Sequence, residues 1–95
     1  MSACILVVTA THSAEEADRI GSEVVAQRLA ASAQRIGPMR STYWWKDGQK
    51  QVDEWQCVIR TTRERYGELE REVLRLHSYE LPGIVAIPIV AGYSN

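Results

Sequence analysis

AQRIGPMRSTYWWKDGQKQVDEWQCVIRT, residues 33–61, reads as two extended runs folded back on each other. The first, Ala33 to Trp45, is interrupted by Gly37-Pro38, a pair that signals a bulge or a change of direction along a long strand. Lys46-Asp47-Gly48-Gln49 is the turn, carrying the Asp-Gly hairpin signal. The return strand, about Val52 to Thr61, places Trp55, Cys57 and Ile59 on one face and Glu54, Gln56, Val58 and Arg60 on the other. Strands of roughly ten residues exceed the usual five or six. The tip of such a hairpin protrudes from a small domain unless something covers it.

On the N-terminal side, Cys4 to Ala10 (CILVVTA) is a β-rich apolar run without alternation, as expected of a central strand covered on both faces or near an interface. Ser13 followed by Glu16 is a capping-box signature. Ala17, Ile20, Gly21, Val24, Val25 and Leu29 then recur at helical spacing, which predicts a helix to about Ala31. On the C-terminal side, Thr61 with Glu64 reads as a second capping box. The helix it opens carries Tyr66, Leu69, Val73 and Leu76 on its apolar face and ends near His77, ahead of Pro82. Ile84 to Val90 is the last strand, and Pro88 marks it as an edge or an irregular strand. The order β-α-β-β-α-β predicts an α+β, ferredoxin-like sandwich: an antiparallel sheet of order 4-1-3-2 with both helices on one face. Cys4 and Cys57 then fall on adjacent strands and near each other, as structural thiols.

Composition bounds what such a domain does. The 95 residues, 45% hydrophobic, suffice for one domain, residues 1–95, and not for two. Eleven Lys plus Arg against twelve Asp plus Glu give a net charge of −1, without the basic excess that nucleic-acid or anionic-membrane binding needs. No apolar run approaches the ~20 residues of a membrane span, and no signal-peptide pattern opens the chain, so the expected location is the cytoplasm. Three Trp and four Tyr stand beside no Phe. Rings with a polar edge therefore dominate, and they suit positions where one side is wet.

The fold class hosts many unrelated activities, so function has to come from the site. Strand one lacks the base-stacking aromatics of an RNA-recognition domain. Thr11-His12-Ser13 stands where a soft-metal chaperone would carry CxxC and an acylphosphatase its phosphate loop. Neither a nucleophile–base pair nor closely spaced paired carboxylates point to an enzyme, and no motif calls for a resident cofactor.

ILVVTA, AQRLAAS, RSTYWW, IRTTRERY and LHSYELPGIVAIPIVAG, in this order and spacing, resemble a CutA-type divalent-ion tolerance protein from about residue 4 to 93. The resemblance implies a tightly packed homotrimer with a PII-like architecture, in which long hairpins and edge strands of neighbouring subunits complete continuous sheets. It also implies links to copper and other divalent metals. Tyr43, Trp44, Trp45 and Trp55 are then expected at the trimer interface, where amphipathic rings are favoured. The alternative function is a PII-like small-molecule sensor or signalling adaptor using the cleft between subunits.

His77 and Glu80 are the candidate metal ligands, beside Tyr79. A helix C-terminus favours a cation, and imidazole with carboxylate suits Cu(II) or another divalent ion. Two ligands three residues apart do not complete a site, so others must come from elsewhere, such as a neighbouring subunit. Equally, His77 could cap the helix while Glu80 pairs with an interfacial Arg. Glu54 and Arg60 share a face by parity and either line the same cleft or form an ion pair. His12 reads as a solvated loop residue. Three departures from the family pattern stand out. Ser32 replaces a cysteine that a soft metal would favour, Ser78 and Gly83 replace a proline and a second acid, and the family's C-terminal helix after Gly92 is expected to be missing from this sequence.

Overall fold

A computed structural model describes residues 3–93. Strand β1 (Cys4–Thr11) leads to helix α1 (Ala14–Ala26), the paired strands β2 (Ser32–Trp45) and β3 (Gly48–Thr62), a 3-10 turn (Arg63–Arg65), helix α2 (Tyr66–Leu76) and strand β4 (Ile84–Pro88). One antiparallel sheet has the order β2-β3-β1-β4, which is the expected order read from the other edge. The expected domain boundaries at residues 1–2 and 94–95 lie outside the described residues.

Strand β1 is central, and within one chain it is covered on one face only, so the first of the two expectations, cover on both faces, does not hold for the single chain. Ile5, Val7, Thr9 and Thr11 are buried under the helices, while Cys4, Leu6, Val8 and Ala10 are half-buried on the opposite face. The helix side supplies Ala17, Ile20 and Val24 from α1 and Leu69, Val73 and Leu76 from α2, closing on Cys57 and Ile59 of β3. Across the open face the register sets Val58, Val8 and Val85 in one row and Arg60, Leu6 and Ile87 in the next. That face is an apolar stripe, with Val85 and Ile87 on an exposed edge strand.

The hairpin is longer than expected. Trp45 pairs with Gly48, so only Lys46 and Asp47 form the loop, and β3 begins at Gly48 rather than Val52. Fourteen strand residues span about 46 Å, which matches the 45 Å long axis of the whole molecule. The bulge falls as predicted: Ile36 faces Gln56 and Met39 faces Glu54, leaving Gly37 and Pro38 opposite Trp55. Gly37 sits at φ +143, and a Cβ there would lie 3.0 Å from both Glu54 O and Trp55 Cδ1, so only glycine fits.

Three other expectations fail for identifiable reasons. Helix α1 stops at Ala26, not Ala31, because Arg28 adopts φ 60 and turns the chain. Leu29 N–H then donates to Val24 O and Arg28 N–H to Val25 O, a Schellman closure whose apolar contact, Val24 with Leu29, had mimicked helical spacing. The Thr61–Glu64 capping box does not form, because the Thr61 hydroxyl donates to Leu29 O at 2.6 Å and the strand runs on to Thr62. Cys4 pairs with Thr62 and Cys57 with Thr9, so the two cysteines lie on adjacent strands but well apart along the register.

Arg28 occupies a position where glycine is the usual choice and a Cβ costs about 1 kcal/mol or more. Arg28→Gly is therefore expected to raise stability by about 0.5–1 kcal/mol, read in calorimetry as a rise of roughly 3–8 °C in Tm. A lowered Tm would show that the arginine side chain contributes more than its backbone costs.

Candidate functional site

The α2–β4 connection, residues 77–83, crosses the end of β1 and is fastened there by side chains. Arg19 of α1 donates to Leu76 O, the carbonyl that ends α2, at 3.0 Å. Thr9 Oγ1 donates to Gly83 O at 2.7 Å, fixing the far end of the loop. Between them, Glu16 accepts from Ser78 N–H at 2.6 Å and from Ser78 Oγ at 2.8 Å. A proline at 78, the residue the family pattern leads one to expect, has neither N–H nor hydroxyl and could make neither bond. The Gly83 departure is different: a Cβ there would meet nothing within 4 Å, so a side chain fits.

His77 leaves the helix with extended backbone, and its side chain is 0% exposed. Nε2 lies 2.9 Å from Ala10 O and Nδ1 accepts from Tyr79 N–H at 3.2 Å. That pairing places the ring proton on Nε2 and leaves no free nitrogen lone pair. The His77 and Tyr79 rings pack at 4.9 Å between centroids, and Tyr79 Oη donates to Glu54 Oε2 at 2.5 Å. Burial, and then the Glu54 carboxylate, push the Tyr79 phenol up, so it remains a donor at physiological pH.

Ala10, Glu54 and Tyr79 line one side of a cleft of about 610 Å³, with Ser41, Tyr43, Trp44 and Trp45 of β2 on another and Glu80 and Leu81 also in its lining, while His77 lies behind it. Trp44 is 79% exposed, whereas Trp45 is half-buried, with the Lys46 ammonium 5.5 Å from its ring centroid. Trp55 packs against the chain's own core. Glu80 is 66% exposed and pairs with Lys46 at 3.3 Å.

Of the expected site residues, the fold thus joins Tyr79 to Glu54 and brings Glu80 to the same cleft. It does not bring His77 to Glu80, since the imidazole is consumed inside the chain and the carboxylate faces outward. Arg60 is not in this cleft; it is exposed on the open sheet face and lines a separate depression with Leu6, Gln34 and Val58. Among the described residues no group of three or more His, Cys, Asp or Glu is arranged to hold a metal ion. Cys57 supplies no soft ligand, because burial, with Asp18 adding to it, pushes its thiol up to about 11.

Glu16 is the site residue that the pattern concealed, because its place in the capping box accounted for it. Ser13 Oγ does cap α1, accepting from Glu16 N–H at 3.1 Å, but the Glu16 carboxylate turns away to Ser78 and to His12 Nδ1 at 2.6 Å. His12 is exposed, as expected of a loop residue, yet it is held by this contact. Ser78 Oγ also lies 3.2 Å from His12 Nδ1, but its shorter bond, at 2.8 Å, is the one it donates to the Glu16 carboxylate.

The protein family described as CutA1 divalent ion tolerance protein matches residues 5–95. A divalent-cation tolerance protein CutA of Archaeoglobus fulgidus is 38% identical over 80 residues, covering 84% of this chain and 78% of its own. Among solved structures, CutA from Xylella fastidiosa superposes with a TM-score of 0.93 at 26% identity, over 97% of this chain and 88% of that one. The divalent cation tolerance protein of Thermus thermophilus gives 0.91 at 31% identity, over 95% and 87%.

Proposed function

The chain belongs to the CutA1 divalent ion tolerance protein family, and from that premise we propose that it acts as a PII-like homotrimer that takes up a divalent cation, Cu(II) or another, at clefts between its subunits. It works by binding rather than catalysis. The described residues of one chain do not furnish a metal site, so in this reading the ligands come from more than one copy, with Glu80 as this chain's principal contribution and Glu54 behind it.

The observation that carries this reading is the exposed pair of Lys46 with Glu80, a carboxylate that lines the cleft. Both partners are exposed, and a solvated pair of this kind is worth about 1 kcal/mol or less, so a divalent cation displaces the ammonium at little cost. The apolar stripe of Val58, Val8, Val85, Leu6 and Ile87 supports assembly, since a second chain would cover it and pair the bare β4 edge. The two free cysteines accord with a reducing cytoplasm.

Calorimetric titration of Cu(II) and Zn(II), on protein shown by sedimentation equilibrium to be trimeric, tests this. Glu80→Gln is expected to weaken binding at least about tenfold, the equivalent of one charge-assisted contact. A monomer at micromolar concentration, or equal affinity in the variant, would refute it. A second reading is favoured by the cleft's volume and aromatic walls, which suit a small organic ligand. Stabilisation by such a ligand, undiminished in Glu80→Gln, would favour that sensor role.

A further inference from the structure

A further depression, of about 680 Å³, forms where the end of α1, β3 and the 3-10 turn meet. Each of the three delivers one arginine to its lining: Arg28 from the turn closing α1, Arg65 from the end of the 3-10 turn and Arg60 from β3, which stands between this depression and the one on the open sheet face. The backbone brings them together. Ala31 N–H donates to Arg60 O at 2.8 Å, and Ser32 stands opposite Arg60 in the sheet register. Ser32 and Thr62 add hydroxyl-bearing residues to the same lining, and no acidic residue contributes to it.

Elsewhere on the surface, Arg35, Arg40, Lys46 and Arg75 each find a carboxylate. Among the described residues, Arg28, Arg60 and Arg65 do not, and neither do Lys50, Arg63 and Arg71; what sets the three apart is that they share one lining. Three exposed arginines lining one concavity that has no acidic residue make it electropositive, a setting that favours an anion. A second, independent sign is the backbone of Arg28. The fold holds an L-residue at φ 60, where glycine closes the same turn without strain, and the cost brings a guanidinium to the rim of this depression.

We propose that this depression binds a compact polyphosphate oxyanion, with Arg28, Arg60 and Arg65 as its ligands. A planar carboxylate satisfies one guanidinium fork. Tetrahedral phosphoryl groups present oxygens in several directions and can accept from all three, with the Ser32 and Thr62 hydroxyls as further donors. The site is separate from the Glu54–Tyr79 cleft and does not depend on metal binding there.

Calorimetry with inorganic pyrophosphate, using the full chain in its native assembly, provides the test. Binding is expected at low ionic strength and should weaken steeply as salt is added. Arg28→Gly and Arg65→Gln should each lower affinity about tenfold, whereas Lys50→Gln, an equal charge change on the exposed hairpin, should leave it within about twofold. Arg28→Gly is informative because it is expected to be the more stable protein, so lost binding there is not lost folding. The proposal is overturned if pyrophosphate gives no heat at low salt, if the two arginine variants bind like wild type, if Lys50→Gln is equally impaired, or if citrate binds more tightly than pyrophosphate.

Discussion

Replacing His77 with alanine is expected to cost about 3 kcal/mol or more of folding stability, a large share of the roughly 5–15 kcal/mol typical of a domain. The ring is completely buried, and both nitrogens are engaged: Nε2 on Ala10 O and Nδ1 by Tyr79 N–H. Truncation therefore leaves a cavity and strips two backbone groups of their partners, each unsatisfied group costing about 1–3 kcal/mol. Urea unfolding at one protein concentration, with the slope unchanged, reads the loss directly. A solvated cap would lose less than about 1 kcal/mol on the same substitution, and that result would overturn a structural role for the buried ring. The same geometry constrains chemistry, because a metal bound through Nδ1 would have to displace the Tyr79 N–H. Tyr79 would then be released from its position against Glu54.

The order of elements was legible because each boundary carries a local signal: Ser13 before α1, the Asp-Gly turn, Pro82 after α2 and Pro88 on the edge strand. What misled was local chemistry with two possible uses. Leu29 continues the apolar spacing of α1, yet reaches the core through a Schellman turn that an arginine closes. Thr61 heads a capping-box pattern, yet its hydroxyl spans to Leu29 O, a carbonyl 32 residues away in sequence. Parity alone put Glu54 and Arg60 on one face, but they stand six residues apart along β3. That separation, about 20 Å in a strand, delivers them to different depressions.

The candidate site was legible in its parts and not in its connections. Helix termination pointed to residues 77–80, and the aromatic cluster pointed to the hairpin. No sequence pattern states that Tyr79 donates to Glu54, because that bond spans two elements brought together only by the sheet order. The Glu16 carboxylate was hidden for a similar reason. Its partner is a serine 62 residues away, in a loop that exists only once α1 and α2 lie side by side.

Glu16→Gln is expected to destabilise the protein by about 2 kcal/mol at neutral pH, and by progressively less in acid. Burial opposes ionisation of this carboxyl, but the backbone and side-chain bonds from Ser78, with the His12 contact, outweigh it and hold the group below its ordinary value of 4.5. A carboxyl depressed by folding contributes stability that is complete above the unfolded value and disappears as pH falls through the folded one. Wild type should therefore lose this contribution below about pH 4.5, while the uncharged variant never had it. Urea midpoints measured at pH 7, 5, 4 and 3 should converge toward the acid end. A gap that stays constant over that range would mean that shape, rather than the charge on Glu16, fastens the loop to α1. Convergence would make the α2–β4 loop, and with it the placement of Tyr79 and Glu80 at the cleft, dependent on one buried carboxylate from the first helix.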